Sequence, residues 1–205
     1  MLNRTTINIG IISAVGAGLC TTLFAIFIII GADMYSYFIC LLLSIFYLVM
    51  SVSNNSIIKD SNKIFSNIAV VFAVIYCTLI CIVYYTQISF VRLGNPSKEA
   101  LSIVVYFPPK TAFFAIDILG YTFLALSTLF LAFSIEKNKI LKIILIIHGI
   151  IGTLGFITPL LPYFYEMQDN SSDNTGSIAL FSWCILFIPI CFLFAKYFIN
   201  KLKEK

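Results

Sequence analysis

Residues 111–135 read TAFFAIDILGYTFLALSTLFLAFSI. The run is continuously apolar and carries one charged residue, Asp117. A membrane-spanning helix needs roughly 20 mostly apolar residues, and this run is long enough. It does not alternate apolar with polar at period two, as a barrel strand would. Lipid offers no partner to a bare peptide group, so the run is predicted to be helical.

Five further stretches read the same way, at about 7–31, 35–53, 66–87, 140–161 and 178–199. The whole chain agrees with them. Of its 205 residues, 60% are hydrophobic and 11% charged, and the mean hydropathy is +1.02. A soluble domain carries roughly 25% charged residues. The net charge of +4 is small and dispersed, which argues against nucleic acid as a partner. The sequence therefore predicts an all-α, polytopic membrane protein. It is read as one integral membrane domain over residues 1–205, with six transmembrane helices in one bundle and the lipid bilayer as surroundings.

Charge sets the expected orientation. An even number of spans puts both termini on one side. That side holds Arg4, Lys59, Lys63, Lys137, Lys139, Lys142, Lys196, Lys201, Lys203 and Lys205. The other holds Arg92, Lys98 and Lys110. Basic residues collect in the cytoplasm, so both termini are expected there. Heavy use of Ile, Asn and Lys points to an AT-rich genome and a bacterial cytoplasmic membrane. The first apolar run is longer than the roughly 7–15 residues of a signal peptide, so it is read as an uncleaved span.

The longest loops fall outside. Residues 88–110 contain Asn95-Pro96 followed by Ala100-Leu101-Ser102-Ile103-Val104-Val105-Tyr106-Phe107 and Pro108-Pro109. This reads as a short interfacial helix with Pro96 at its first position. The loop at 162–177 is rich in Asn, Asp and Ser, and Asn170-Ser171-Ser172 fits a glycan acceptor that a bacterium would not use. Tyr35, Tyr37, Tyr84, Tyr85, Tyr106, Phe107, Tyr163, Phe164, Tyr165 and Trp183 crowd the same boundary, as an interfacial aromatic belt would. A weak internal repeat at an offset of 84 pairs Asp33 with Asp117 and Tyr37 with Tyr121, as if two hairpins ran in the same direction.

Three residues form the candidate intramembrane polar site: Asp117, Tyr121 and His148. An acid inside the hydrocarbon costs about 2.5–3.5 kcal/mol on insertion scales, and such groups face the bundle interior or a wet cavity. Asp117 lies roughly 9 Å below the outer boundary. His148, the one histidine, lies about 9 Å deeper, too far for a direct bond. Tyr121 sits between them and is the expected partner of His148. Thr153 or Thr158 is the expected partner of Asp117.

Small residues mark close helix contacts: Gly10, Ala14 and Gly18 in the first stretch, and Gly149, Gly152 and Gly155 in the fifth. They serve packing within the chain or, in the first stretch, a homo-oligomer. The cysteines, Cys20, Cys40, Cys77, Cys81, Cys184 and Cys191, all lie within spans and read as small apolar residues. Pro189 is expected to kink the last helix. No metal-ligand spacing, phosphate loop or Gly-x-Ser-Gly nucleophile occurs; the fourth stretch offers Ala125-Leu126-Ser127-Thr128. No cofactor is implied.

Three functions fit. The sequence favours a non-enzymatic membrane protein that packs with partner proteins or lipids. The next is a small transporter or channel with Asp117 on an ion, proton or solute path. The third is an intramembrane enzyme.

Overall fold

The computed structural model describes residues 4–105, 111–155 and 174–203, with backbone alone for 174–179. The described residues form seven α-helices and no strand. These are α1 (Arg4–Ile29), α2 (Asp33–Ile57), α3 (Lys63–Thr86), α4 (Lys98–Val104), α5 (Ala112–Ser134), α6 (Lys139–Gly155) and α7 (Asn174–Lys203). Among the described residues, five helical segments are long and apolar enough to cross a membrane: Arg4–Ile29, Asp33–Ile57, Asp60–Arg92, Ala112–Ser134 and Leu180–Lys203. The predicted stretch at 140–161 is helical over Lys139–Gly155. Its remainder lies outside the described residues, with Thr158 and Pro159. So do Tyr106 to Lys110 and the Pro162 and Asn170 region.

Local chemistry explains the ends. Gly31, at φ +68°, reverses the chain after α1. Its N–H bonds Ile28 O at 3.2 Å and the Ala32 N–H bonds Phe27 O at 2.9 Å. This paired closure needs a left-handed residue at Gly31, where a side chain would be strained. Thr111 caps α5, its hydroxyl accepting from the Phe114 N–H at 3.2 Å. Ser97 caps α4 by accepting from Ala100 N–H at 3.3 Å. Pro96 therefore precedes the cap and does not open the helix, because Ser97 supplies the better capping oxygen. The Glu99 backbone N–H and the Ser97 side chain hold the Glu99 carboxyl below its ordinary range. The loop expected from residue 88 starts later: α3 runs on as a π turn over Gln87–Arg92. The buried Gln87 side chain donates to Val104 O at 2.7 Å, which ties α4 to this extension. α7 is continuous through Pro189.

Six helices form a circuit. α1 lies against α2 and α7, α2 against α3, α3 against α5, α5 against α6, and α6 more loosely against α7. Every neighbour but the closing pair follows in chain order. Tyr47, Tyr76, Leu124, Phe187 and Phe194 fill the interior. Ile12, Leu19, Ile143, Ile150 and Ile185 are exposed on the outside. A surface this apolar suits lipid and not water.

The small residues are used inside the chain. Gly10, Ala14 and Gly18 are all buried. A Cβ on Gly10 would lie 2.8 Å from the Phe198 ring, and one on Gly18 3.0 Å from Phe192, both on α7. Gly149 and Gly152 bring α6 onto α5: added Cβ atoms would meet Leu129 Cβ at 2.6 Å and Ala125 Cβ at 2.5 Å. Gly155 faces nothing within 4 Å.

Candidate functional site

α2 and α5 run parallel across the circuit. Cys40 Sγ lies 3.8 Å from Tyr121 Oη. Tyr47 Oη donates to Ser127 Oγ at 2.8 Å, and Asn54 Nδ2 donates to Ser134 Oγ at 3.3 Å. Positions 40, 47 and 54 fall two helical turns apart, on one face. The first of these pairs is offset by 81 residues and the other two by 80. Asp117 is therefore level with Tyr37, and not with Asp33, its partner in the sequence repeat. Asp33 opens α2 and is half-exposed, whereas Asp117 lies a turn into α5 and is 1% exposed.

Asp117 sits in a cluster of phenols. Its carboxyl acts electrostatically on Tyr37, Cys40, Tyr76 and Tyr121. Tyr121 Oη is 3.4 Å from Tyr84 Oη. Tyr37 and Tyr84 pack at 5.5 Å between ring centroids, and Tyr76 and Tyr121 at 6.0 Å. Tyr37 also bonds Arg92, which pairs with Asp33 at 3.0 Å on the half-exposed rim. Tyr37 thus lies between the rim, where it bonds Arg92, and the buried acid, whose charge it feels. Tyr35 and Tyr85 are exposed as a belt requires, but Tyr84 is turned inward.

Below the acid the column continues between α2, α3 and α5. Tyr76 packs edge-on to Tyr47 at 5.7 Å. Ser127 Oγ donates to Ala69 O at 2.7 Å. Ser44 lies 3.6 Å from Cys77 and 3.7 Å from Cys81, so these thiols join polar contacts. At the far end Lys59 pairs with Glu136 at 3.1 Å, Asn62 donates to Glu136 at 3.1 Å, and Lys63 donates to Asn55 O. Within the column Tyr76 Oη, Ser66 Oγ and Asn54 Oδ1 are buried and make no hydrogen bond.

His148 belongs to a different place. Trp183 Nε1–H donates to its Nε2 at 3.0 Å. An indole N–H only donates, so the imidazole proton sits on Nδ1. Nδ1–H then donates to Thr128 Oγ1 at 2.8 Å, whose hydroxyl donates to Ala125 O at 2.8 Å. The relay runs one way and ends on a carbonyl. It stitches α7 to α6 and α6 to α5, across the loosest contact of the circuit. Tyr121 does not bond His148; it meets the same Trp183 through its ring, at 5.1 Å. Thr153 does not reach Asp117, because its hydroxyl bonds Gly149 O of its own helix at 2.7 Å.

The structure thus sets Asp117 within electrostatic reach of Tyr121 and bonds His148 to Trp183 and Thr128, with the Trp183 ring between Tyr121 and His148. Tyr47, Tyr76, Tyr84, Thr128 and Trp183 were not singled out as site residues from sequence. The heptad spacing of Cys40, Tyr47 and Asn54, opposite Tyr121, Ser127 and Ser134, was the available signal. All six cysteines are free. No group of His, Cys, Asp and Glu able to hold a metal ion occurs among the described residues. The chain matches no family model, no curated protein and no solved structure.

Proposed function

We propose that the chain crosses the membrane six times with both termini in the cytoplasm, and that it is a small transporter or channel with Asp117 on the path of an ion, proton or solute. The observation that carries this reading is the buried carboxyl itself. It lies within electrostatic reach of the phenols, among them Tyr37, which bonds Arg92 of the half-exposed Arg92–Asp33 pair. Intramembrane acids are costly and mark conduction paths. The orientation is supported by the grouping of Lys59, Lys63 and Glu136 at one end of the helices and of Asp33 and Arg92 at the other.

The test is flux through the purified full chain in liposomes, comparing wild type with Asp117→Asn, together with cysteine labelling of the tail at residue 203. Flux that depends on Asp117 supports the reading. Equal flux in the two proteins removes it, and a tail labelled only from outside removes the orientation.

A second reading, packing with a partner protein or lipid, is favoured by the exposed apolar surface that includes Ile12, Leu19, Ile143, Ile150 and Ile185. In that case Asp117→Asn leaves the biological activity intact.

A further inference from the structure

The column below Asp117 contains groups that the fold does not need. Tyr76, Ser66 and Asn54 are each 0% exposed, yet Tyr76 Oη, Ser66 Oγ and Asn54 Oδ1 have no hydrogen-bond partner. A buried polar atom left unsatisfied costs roughly 1–3 kcal/mol. Phe at 76 and Ala at 66 would pack without that cost. The three positions are not scattered. Tyr76 touches the Tyr121 and Tyr47 rings. Ser66 lies one turn from Ala69, whose carbonyl accepts from Ser127. Asn54 bonds Ser134 at the column's far end. From Asp117 to Ser134 along α5 is 17 residues (134 − 117), about 25 Å of helix. That is most of a hydrocarbon core roughly 30 Å thick.

The composition of the column limits what can pass. Phenol and alcohol hydroxyls both donate and accept, and their hydrogens rotate. A hydrated metal ion or a solute needs an open bore. Here the Tyr37–Tyr84, Tyr47–Tyr76 and Tyr76–Tyr121 rings stand at 5.5, 5.7 and 6.0 Å, which is ring-to-ring contact.

We infer that the species Asp117 accepts is the proton, and that it moves along the hydroxyl column from Asp117 past Tyr121, Tyr76 and Tyr47 toward Asn54 and Ser134. This rests on the reading of Asp117 as a path residue and names what the path carries. The carboxylate takes a proton from bulk water at the mouth marked by the half-exposed Arg92–Asp33 pair, leaving hydroxide outside, and becomes a carboxylic acid. Its O–H bond then breaks as the proton passes to a lone pair of the next hydroxyl, through a bridging water at Tyr76 Oη, which no protein group reaches. That hydroxyl releases its own proton onward, and the last member gives one to water at the Lys59–Glu136 end, so each group ends with the number it began with. Rotation of the O–H bonds resets the column. No oxidant or reductant is required; the proton electrochemical gradient drives the movement.

Tyr76→Phe is the decisive variant, because it deletes a hydroxyl with no partner and keeps the ring. The full chain is reconstituted in phosphatidylcholine–phosphatidylglycerol liposomes with an internal pH dye, and a valinomycin-set potassium potential drives flux. Radiolabelled sodium is followed separately, and thermal unfolding is measured for each protein. The expected result is proton uptake that Asp117→Asn removes and Tyr76→Phe slows by at least about tenfold, with Tyr76→Phe no less heat-stable than wild type. Sodium should not move. Wild-type proton flux in Tyr76→Phe overturns the inference. Sodium flux that needs Asp117, without proton flux, also overturns it and leaves the path reading standing. No Asp117-dependent flux of either overturns both.

Discussion

The Asp117 column and the His148 corner are equally buried but differ in how their polar atoms are used. At His148 every donor meets an acceptor: indole to imidazole, imidazole to hydroxyl, hydroxyl to carbonyl. Reversing any member would set two donors against each other. In the column, Tyr121 Oη has two neighbours at 3.4 and 3.8 Å, and three other buried polar atoms have none. Burial alone therefore says little about a polar residue in a membrane helix. The pairing of its atoms separates a structural joint from a site with capacity to spare.

Substitutions that test stability and flux together can break this contrast. The largest effect is expected from Asp117→Asn. Liposome flux should fall by at least about tenfold, while heat stability holds or rises because a costly acid has gone. A melting temperature that falls along with the flux would make Asp117 a packing residue like His148. His148→Ala should do the opposite. It strands the Trp183 N–H and opens a cavity, costing about 2–4 kcal/mol, with flux per folded protein unchanged; thermal unfolding alongside flux would show it. Gly149→Ala should act at the same corner. Its methyl would lie 2.9 Å from Leu129 Cα and 3.0 Å from Ala125 O, so backbone must move, at a cost of about 1–3 kcal/mol. A pair of phenol-to-phenyl changes sharpens the column itself. Tyr47→Phe loses its bond to Ser127, worth roughly 0.6–1.7 kcal/mol in a membrane, whereas Tyr76→Phe should lose nothing on unfolding. The smallest effect is expected from Arg92→Gln. Its half-exposed pair with Asp33 contributes at most about 1 kcal/mol, and added salt should erase the difference.

The long helices were legible because lipid forces continuous apolar runs, which no turn signal interrupts. Their ends were less so. The extension over Gln87–Arg92 has no α-helical periodic signature, since its i→i+5 turn departs from the 3.6-residue repeat. That extension places Arg92 beside Asp33 and Tyr37. Asp117 was legible from charge alone, and its nearness to Tyr121 from one turn of spacing. The partners of His148 were not. Trp183 reads as a boundary residue if the last helix starts near 178. The helix begins at Asn174, so Trp183 lies more than two turns into it, and its indole N–H reaches His148. Thr128 is not legible because span ends, from which depth is counted, are not marked in the sequence. Along α5 it is eleven residues below Asp117 (128 − 117), about 16 Å and not the 9 Å expected between acid and imidazole.

The circular order of the helices bears on biogenesis. As the polypeptide leaves the translocon, each new hairpin finds its neighbour already waiting, so assembly proceeds without search until the last segment. Only α7 must turn back to the beginning, docking Phe198 and Phe192 over Gly10 and Gly18. A nascent chain halted before that step would present a bare glycine groove to the bilayer. Such a truncated product should self-associate, or be degraded, more readily than the finished molecule.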